Sequence, residues 1–300
     1  MIMPNFLIIG AAKSGTTTLY EWLNRHPQIY MCPVKETNFF ALENIAPDTY
    51  KDTVREGYSK DFKTTLTEYR EQFAGVSNEV AIGEASPSYL YYPQAVSRIK
   101  HYLPDVKLIA VLRNPVDRAY SNFVHHLRDN LETTTDFSQA LELEKERIEK
   151  NWWWGFHYLN AGFYSVQLKR YLAQFDRSQI KIYLFEDLIN NSDATARDIC
   201  QFLQVDDGFK LANSDRQNVT GIPKNRSFYN FLTTKNILKE PLKLLVPPHI
   251  RDRIVTTLKN KTLQKPQLSP VIRSQLMEAY REEILELQDL INRDLSGWLN

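Results

Sequence analysis

Residues 6–18 read FLIIGAAKSGTTT. Apolar β-formers empty into a turn of small residues that carries a lysine and then a run of threonines. A buried strand running into a helix this way leaves the first helical N–H groups pointing outward, where the helix dipole favours an anion. Thr16, Thr17 and Thr18 add hydroxyls, and Lys13 adds a point charge. Lys13, Ser14, Gly15, Thr16, Thr17 and Thr18 are therefore candidate phosphate ligands.

The pattern G-x-x-x-x-G-K-[ST] of ATP- and GTP-using enzymes is close to this one, but not the same. Here Thr16 follows the second glycine, and the lysine stands at position 13. The partner strand of those enzymes ends in an acidic residue that holds magnesium. The corresponding apolar run here, VKLIAVL (106–112), ends in Arg113. An arginine in that place repels a metal and attracts a second anion. The pair of sites calls for a nucleotide with an additional phosphate, handled without a metal.

The segment after Arg113, NPVDRAYSNFVHHLRD, predicts a helix over 115–128 with Asn114 as N-cap, Pro115 at its first position and Asp117 in its first turn. Ser121 and His125 share one face of it. Arg113 and Ser121 would form an anion clamp at the carboxyl end of a parallel strand, where ligands of open α/β sheets bind.

Further buried strands are expected at FLIIG (6–10), EVAIGE (79–84) and IKIYLF (180–185), with helical patterns between them. Leu276, Tyr280, Ile284, Leu287 and Ile291 mark the apolar stripe of a long C-terminal helix. The expected fold is α/β, three-layered, with a central, mostly parallel sheet. One domain over 1–300 is expected, with irregular insertions at about 41–78 and 206–269. The chain has 300 residues, 43% hydrophobic and 24% charged, with a net charge of +1, which disfavours a general nucleic-acid binder. Cys32 and Cys200 make neither a metal spacing nor a disulfide framework, so a reducing, cytoplasmic setting is expected. No apolar run reaches about 18 residues, so stable membrane insertion is not expected.

Lys13-Ser14-Gly15-Thr16-Thr17 with the following His26-Pro27 resembles the 5′-phosphosulfate loop of sulfotransferases that use 3′-phosphoadenosine 5′-phosphosulfate (PAPS). Arg113-Asn114-Pro115 with Asp117-Arg118 and Ser121 is similar to their 3′-phosphate motif. The closing Asp294-Leu295-Ser296-Gly297-Trp298-Leu299 looks like the end of bacterial members. Lys35-Glu36-Thr37-Asn38-Phe39-Phe40 and Gly83-Glu84-Ala85-Ser86-Pro87-Ser88-Tyr89 resemble the heparan-sulfate type and its bacterial relatives. The likeness spans nearly the whole chain. It implies the P-loop-like sulfotransferase fold and PAPS as co-substrate, with the bisphosphate PAP as product and no metal.

The resemblance also implies roles. Lys13 would stabilise the departing phosphate, and Thr16 and Thr17 would hold it. Lys224 and Arg226, in NVTGIPKNRS, would close over the 3′-phosphate. The attacking hydroxyl or amine needs a base, and the candidates in order are Glu36, His125 and Glu84. Glu36 occupies the place of a catalytic glutamate in the heparan type, and Phe39–Phe40 are expected to bury it and raise its pKa. His125 matches a histidine on the substrate side of N-sulfotransferases. Glu84 ends an expected strand in the same cleft. Relatives acting on heparan carry lysine after that glutamate, whereas this chain has Ala85, which speaks against an acidic polysaccharide.

Trp152-Trp153-Trp154, with Phe156 and Tyr158, is either an aromatic wall for the acceptor or a hydrophobic anchor. Gly162-Phe163-Tyr164 resembles a family motif without an assigned role. The acceptor is open among a glycan or glycolipid, a small metabolite and a carrier-bound acyl group. A kinase with an atypical loop and a non-catalytic nucleotide-binding module are the competing readings.

Overall fold

The computed structural model describes residues 2–50, 53–54, 58–209, 222–223, 263–264 and 266–300. Strands β1 (Phe6–Gly10), β2 (Ile29–Met31), β3 (Ala81–Ala85), β4 (Lys107–Leu112) and β5 (Ile180–Leu184) form one sheet in the order β2-β3-β1-β4-β5. All neighbouring pairs run parallel. The strands expected from the apolar runs are present. β2 is an addition, because its three residues, IYM, are too few to show a period.

Side chains alternate along each strand, and here both faces are apolar. On β1, Leu7 and Ile9 enter one core while Phe6 and Ile8 enter the other. On β4, Leu108, Ala110 and Leu112 oppose Ile109 and Val111 in the same manner. Helices Pro93–Tyr102, Pro115–Arg128, Tyr164–Leu172 and Pro270–Ile291 cover the first face. Helices Thr16–Leu23 and Ser192–Leu203 cover the second. A sheet covered on both sides is the physical reason for continuous hydrophobic runs. The expected three-layer α/β fold is the observed one.

The C-terminal helix buries the predicted stripe of Leu276, Tyr280, Ile284, Leu287 and Ile291. Tyr280 donates its hydroxyl to the Leu159 carbonyl (2.6 Å). A Cβ at Gly162 would lie 2.4 Å from the Tyr280 hydroxyl oxygen. Glycine at 162 is what lets the helix approach, and two residues later Tyr164 donates to the Arg113 carbonyl (3.1 Å). The Gly-Phe-Tyr motif thus links the C-terminal helix to the end of β4.

The stretch expected as irregular at 41–78 holds short helical turns at Pro47–Tyr50, Tyr58–Asp61 and Leu66–Glu71. Within 206–269, Ile222–Pro223 pairs antiparallel with Leu263–Gln264. Lys224 and Arg226 lie outside the described residues.

Asn114 caps the helix as its sequence context predicts. Its Oδ1 accepts from the N–H groups of Val116 (3.0 Å) and Asp117 (3.3 Å). Its Nδ2 donates to the Trp298 carbonyl (3.1 Å), tying the C-terminal turn to the end of β4. Asn114→Ala is expected to lower the unfolding free energy by about 1–2 kcal/mol. Urea denaturation with an unchanged m-value measures this loss.

Candidate active site

The carboxyl ends of the strands open into one cleft. β1 delivers the loop 11–15, β4 delivers Arg113, and β5 delivers Phe185. Gly15 sits at φ +94°, and a Cβ there would come within 3.2 Å of the Phe185 ring. An L-side chain would be both strained and crowded at that position. Helix Thr16–Leu23 begins with no side-chain cap and no acidic residue in its first turn. Its N-terminal dipole therefore faces the cleft without a counter-charge of its own.

Lys13, Thr16, Thr17 and Thr18 line this end of the cleft together with Arg113 and Ser121. Arg113 Nη1 donates to the Lys13 carbonyl (3.1 Å), and the guanidinium stacks 4.8 Å from the Phe185 ring centroid. One side chain thereby locks the loop after β1 to the end of β4. Lys13 takes a left-handed backbone (φ 65°), which costs a non-glycine residue about 1–2 kcal/mol. Burial, and next the Arg128 charge, lower the Lys13 ammonium to about 8, although Asp129 and Glu36 pull the other way.

Glu36 faces the same cleft from the loop after β2. It is also left-handed (φ 68°), and its N–H donates to the Ala85 carbonyl (3.0 Å). Lys35 Nζ and the Tyr58 hydroxyl donate to its two carboxylate oxygens. Burial pushes the Glu36 carboxyl up, but the Lys35 ammonium, these hydrogen bonds and the Lys13 charge outweigh it. The net direction is below the ordinary carboxylate value, opposite to the expectation of a raised pKa. Phe39 and Phe40 do not surround the carboxylate. They pack into the core, Phe39 stacked at 4.5 Å on Tyr69 and Phe40 edge-on to Tyr89.

His125 lines the cleft within a polar cluster. Arg128 Nη2 donates to His125 Nδ1 (2.6 Å), and Arg128 Nε donates to Asp129 Oδ1 (2.9 Å). A guanidinium can only donate, so His125 Nδ1 is an acceptor and the neutral ring carries its proton on Nε2. That nitrogen lies 3.7 Å from Asp129 Oδ2. Arg128 and Asp129 thereby flank the two ring nitrogens of His125.

Residues 4–208 match the profile of the sulfotransferase family. The chain belongs to the sulfotransferase family. A crystal structure of a sulfotransferase from Alicyclobacillus acidocaldarius is 31% identical, covers 100% of both chains and superposes with a TM-score of 0.78. The membrane-associated sulfotransferase kil1 of Dictyostelium discoideum is 37% identical over 123 residues, 41% of this chain and 23% of its own length. Carbohydrate sulfotransferase 15 of Homo sapiens is 26% identical over 247 residues, covering 68% of this chain and 44% of the relative. The chain thus spans less than half the length of these two relatives. The mouse sulfotransferase SULT7A1 complexed with PAP shares the fold, with a TM-score of 0.51 at 17% identity.

Two candidate site residues do not line the cleft. Ser14 is fully buried, and its N–H is used by the Ala11 carbonyl (3.3 Å). Glu84 is 0% exposed and does not line the cleft; burial pushes its carboxyl up to about 7. Trp153 and Trp154 are anchored in aromatic packing at the edge of the cleft. Both line the cleft, yet Trp153 stacks on Phe62 and Trp154 on Tyr91. Phe156 and Tyr158 are core residues.

Several cleft residues were missed from sequence. Arg128 falls on the helical stripe of Ser121 and His125, so spacing alone would have found it. Tyr58 left no signal, standing 22 positions from the carboxylate it meets. Arg273, on the C-terminal helix, reaches Asp117 across the cleft mouth (2.5 Å).

The free enzyme holds Lys13 charged below about pH 8 and loses that charge as pH rises through it. We expect kcat/KM for the sulfate donor to decline with an alkaline midpoint near about 8, and Lys13→Arg to remove this limb. If Glu36 is the base, the acid limb should lie below the ordinary glutamate value. A pH–rate series on both forms measures this.

Proposed function

We propose that the protein transfers a sulfuryl group from PAPS to a hydroxyl or amine acceptor, with Glu36 as base and Lys13 at the leaving oxygen. The observation that carries this reading is the meeting, in one cleft, of an uncapped helix N-terminus, two cations and a carboxylate. The helix start, Lys13 and Arg113 suit an anion at two separate points. Glu36 is held ionised, so it can take a proton at neutral pH.

The residues present fit the donor. Thr16, Thr17 and Thr18, with the N–H groups of their helix, would hold the 5′-phosphate, and Arg113 with Ser121 would hold the 3′-phosphate. When bound, PAPS supplies the sulfuryl group, and PAP is the product. Glu36 accepts the proton of the acceptor as its oxygen or nitrogen bonds to sulfur. Lys13 meets the negative charge left on the bridging phosphate oxygen as the sulfur–oxygen bond breaks. Arg128 and Asp129 hold His125 at the cleft wall. PAP in the SULT7A1 complex is in keeping with this use of the shared fold. Relatives named for carbohydrate and heparan sulfate put carbohydrate hydroxyls and amines first among acceptors to try.

Adenosine 3′,5′-bisphosphate should raise the melting temperature without magnesium, following RT ln(1 + [L]/Kd). Stabilisation by ATP with magnesium and none by the bisphosphate would show the kinase reading to be right. With labelled PAPS and a panel of glycans, phenols and amines, Glu36→Gln should lower kcat by about 10²–10⁴-fold. Its bisphosphate affinity should stay within about threefold, because the side chain is assigned to the acceptor and not to the nucleotide. Wild-type turnover in Glu36→Gln would remove the base assignment.

A further inference from the structure

We propose that Glu84 is a positioning residue for Glu36, acting through Ser86 and Asn38; the inference rests on Glu36 being the base. Two residues in the loop carrying Glu36 adopt backbone conformations that they would not choose. Glu36 has φ 68° and Asn38 has φ 55°. Asparagine tolerates this region because its side chain can bond nearby backbone, but glutamate has no such local compensation. Contacts from elsewhere must hold the loop.

Those contacts come from the segment Glu84–Tyr89. The Glu36 N–H donates to the Ala85 carbonyl (3.0 Å), and the Asn38 N–H donates to Ser86 Oγ (3.0 Å). Ser88 Oγ donates to Asn38 Oδ1 (2.5 Å), and the Asn38 amide then donates Nδ2–H to the Glu36 carbonyl (2.6 Å). Thr37 Oγ1 and the Tyr89 hydroxyl are 3.3 Å apart. Ser86, Ser88, Thr37 and Asn38 are all essentially closed to solvent.

Glu84 gives this network its direction. Ser86 has a single hydroxyl proton, and it points at Glu84 Oε1 (2.5 Å). That leaves the lone pairs of Ser86 Oγ for the Asn38 N–H. Without an acceptor at Glu84, the hydroxyl is free to rotate and to offer its proton toward Asn38 instead. Glu84 occupies a site with no solvent and no role in the cleft, a costly place for a carboxyl unless it orders something. The motif G-E-x-S-x-S-Y and the motif E-x-N therefore form one device, although about fifty residues separate them. Its output is the placement of the Glu36 carboxylate between Lys35, Tyr58 and Lys13.

The decisive variants are Asn38→Gly and Ser86→Ala. Glycine adopts the left-handed conformation freely, so Asn38→Gly removes the clasp without adding backbone strain. Each is expected to lower kcat by about tenfold or more, because small misplacement of a reacting group is costly. Bisphosphate affinity should stay at the wild-type value, and the acid limb of the pH–rate profile should move upward as Glu36 loosens from Lys35 and Tyr58. Glu84→Leu, which removes the acceptor, should lower kcat in the wild-type background and add nothing in the Ser86→Ala background, the signature of action through Ser86. Wild-type kcat and an unmoved acid limb in Asn38→Gly would overturn the proposal. So would an undiminished Glu84→Leu effect in the Ser86→Ala background, which would mean that Glu84 acts by another route. Melting temperatures of all variants identify any that fail to fold, and Asn38→Gly keeps the test open if Ser86→Ala is one of them. Glu36→Gln, measured beside them, separates the two readings. Full activity there removes the base assignment, whereas its loss with wild-type behaviour of Asn38→Gly removes only the positioning role.

Discussion

The turn between Gly10 and Thr16 must take a fully buried strand into a helix while leaving the helix start uncovered. Gly15 makes this possible, because its left-handed backbone and missing Cβ let the chain pass beside Phe185. Arg113 completes the turn by bonding the Lys13 carbonyl from the adjacent strand. Everything the cleft does depends on this junction. It aims an uncapped helix dipole, a lysine and an arginine at one volume, and parallel strands on either side bring Glu36 and Phe185 to its rim.

The electrostatics of the site follow from crowding like and unlike charges in a half-dry cleft. Lys13 loses proton affinity because burial and Arg128 both disfavour a second cation there. Glu36 gains acidity because Lys35, Tyr58 and Lys13 outweigh the cost of burying it. The Lys13 charge deepens the Glu36 shift, whereas the Glu36 charge opposes that of Lys13. A lysine near the edge of protonation and a carboxylate firmly ionised are suited to stabilising a departing oxygen and accepting a proton at the same pH. The left-handed backbones of Lys13 and Glu36 are the conformational cost of that placement, and networks outside the cleft sustain it.

Much of this was legible along the chain, for particular reasons. The helix 115–128 announced both its ends through Asn114, Pro115 and the amphipathic stripe, all local signals. β1, β4 and β5 were legible because strands covered on both faces leave unbroken apolar runs. β2 was not, since three residues carry no period. The direction of the Glu36 shift was misread because adjacent aromatics suggested burial by Phe39 and Phe40, which turn into the core instead. The deciding partners were Lys35, its immediate neighbour in the chain, and Tyr58, which no sequence signal marked.

By itself the sequence determined four of the sheet's five strands, the phosphate-binding turn, the arginine that replaces a metal-binding acid, and through these the family. Such features rest on interactions within a few residues, or on periodicity within one element. The tertiary structure alone decided that His125 is held between Arg128 and Asp129, that Ser14 and Glu84 do not line the cleft, and that Glu84–Tyr89 clasps the Glu36 loop. Hydrogen bonding and charge coupling depend on distances of a few ångströms between segments far apart in the chain. Those distances exist only once the sheet has set its strands side by side.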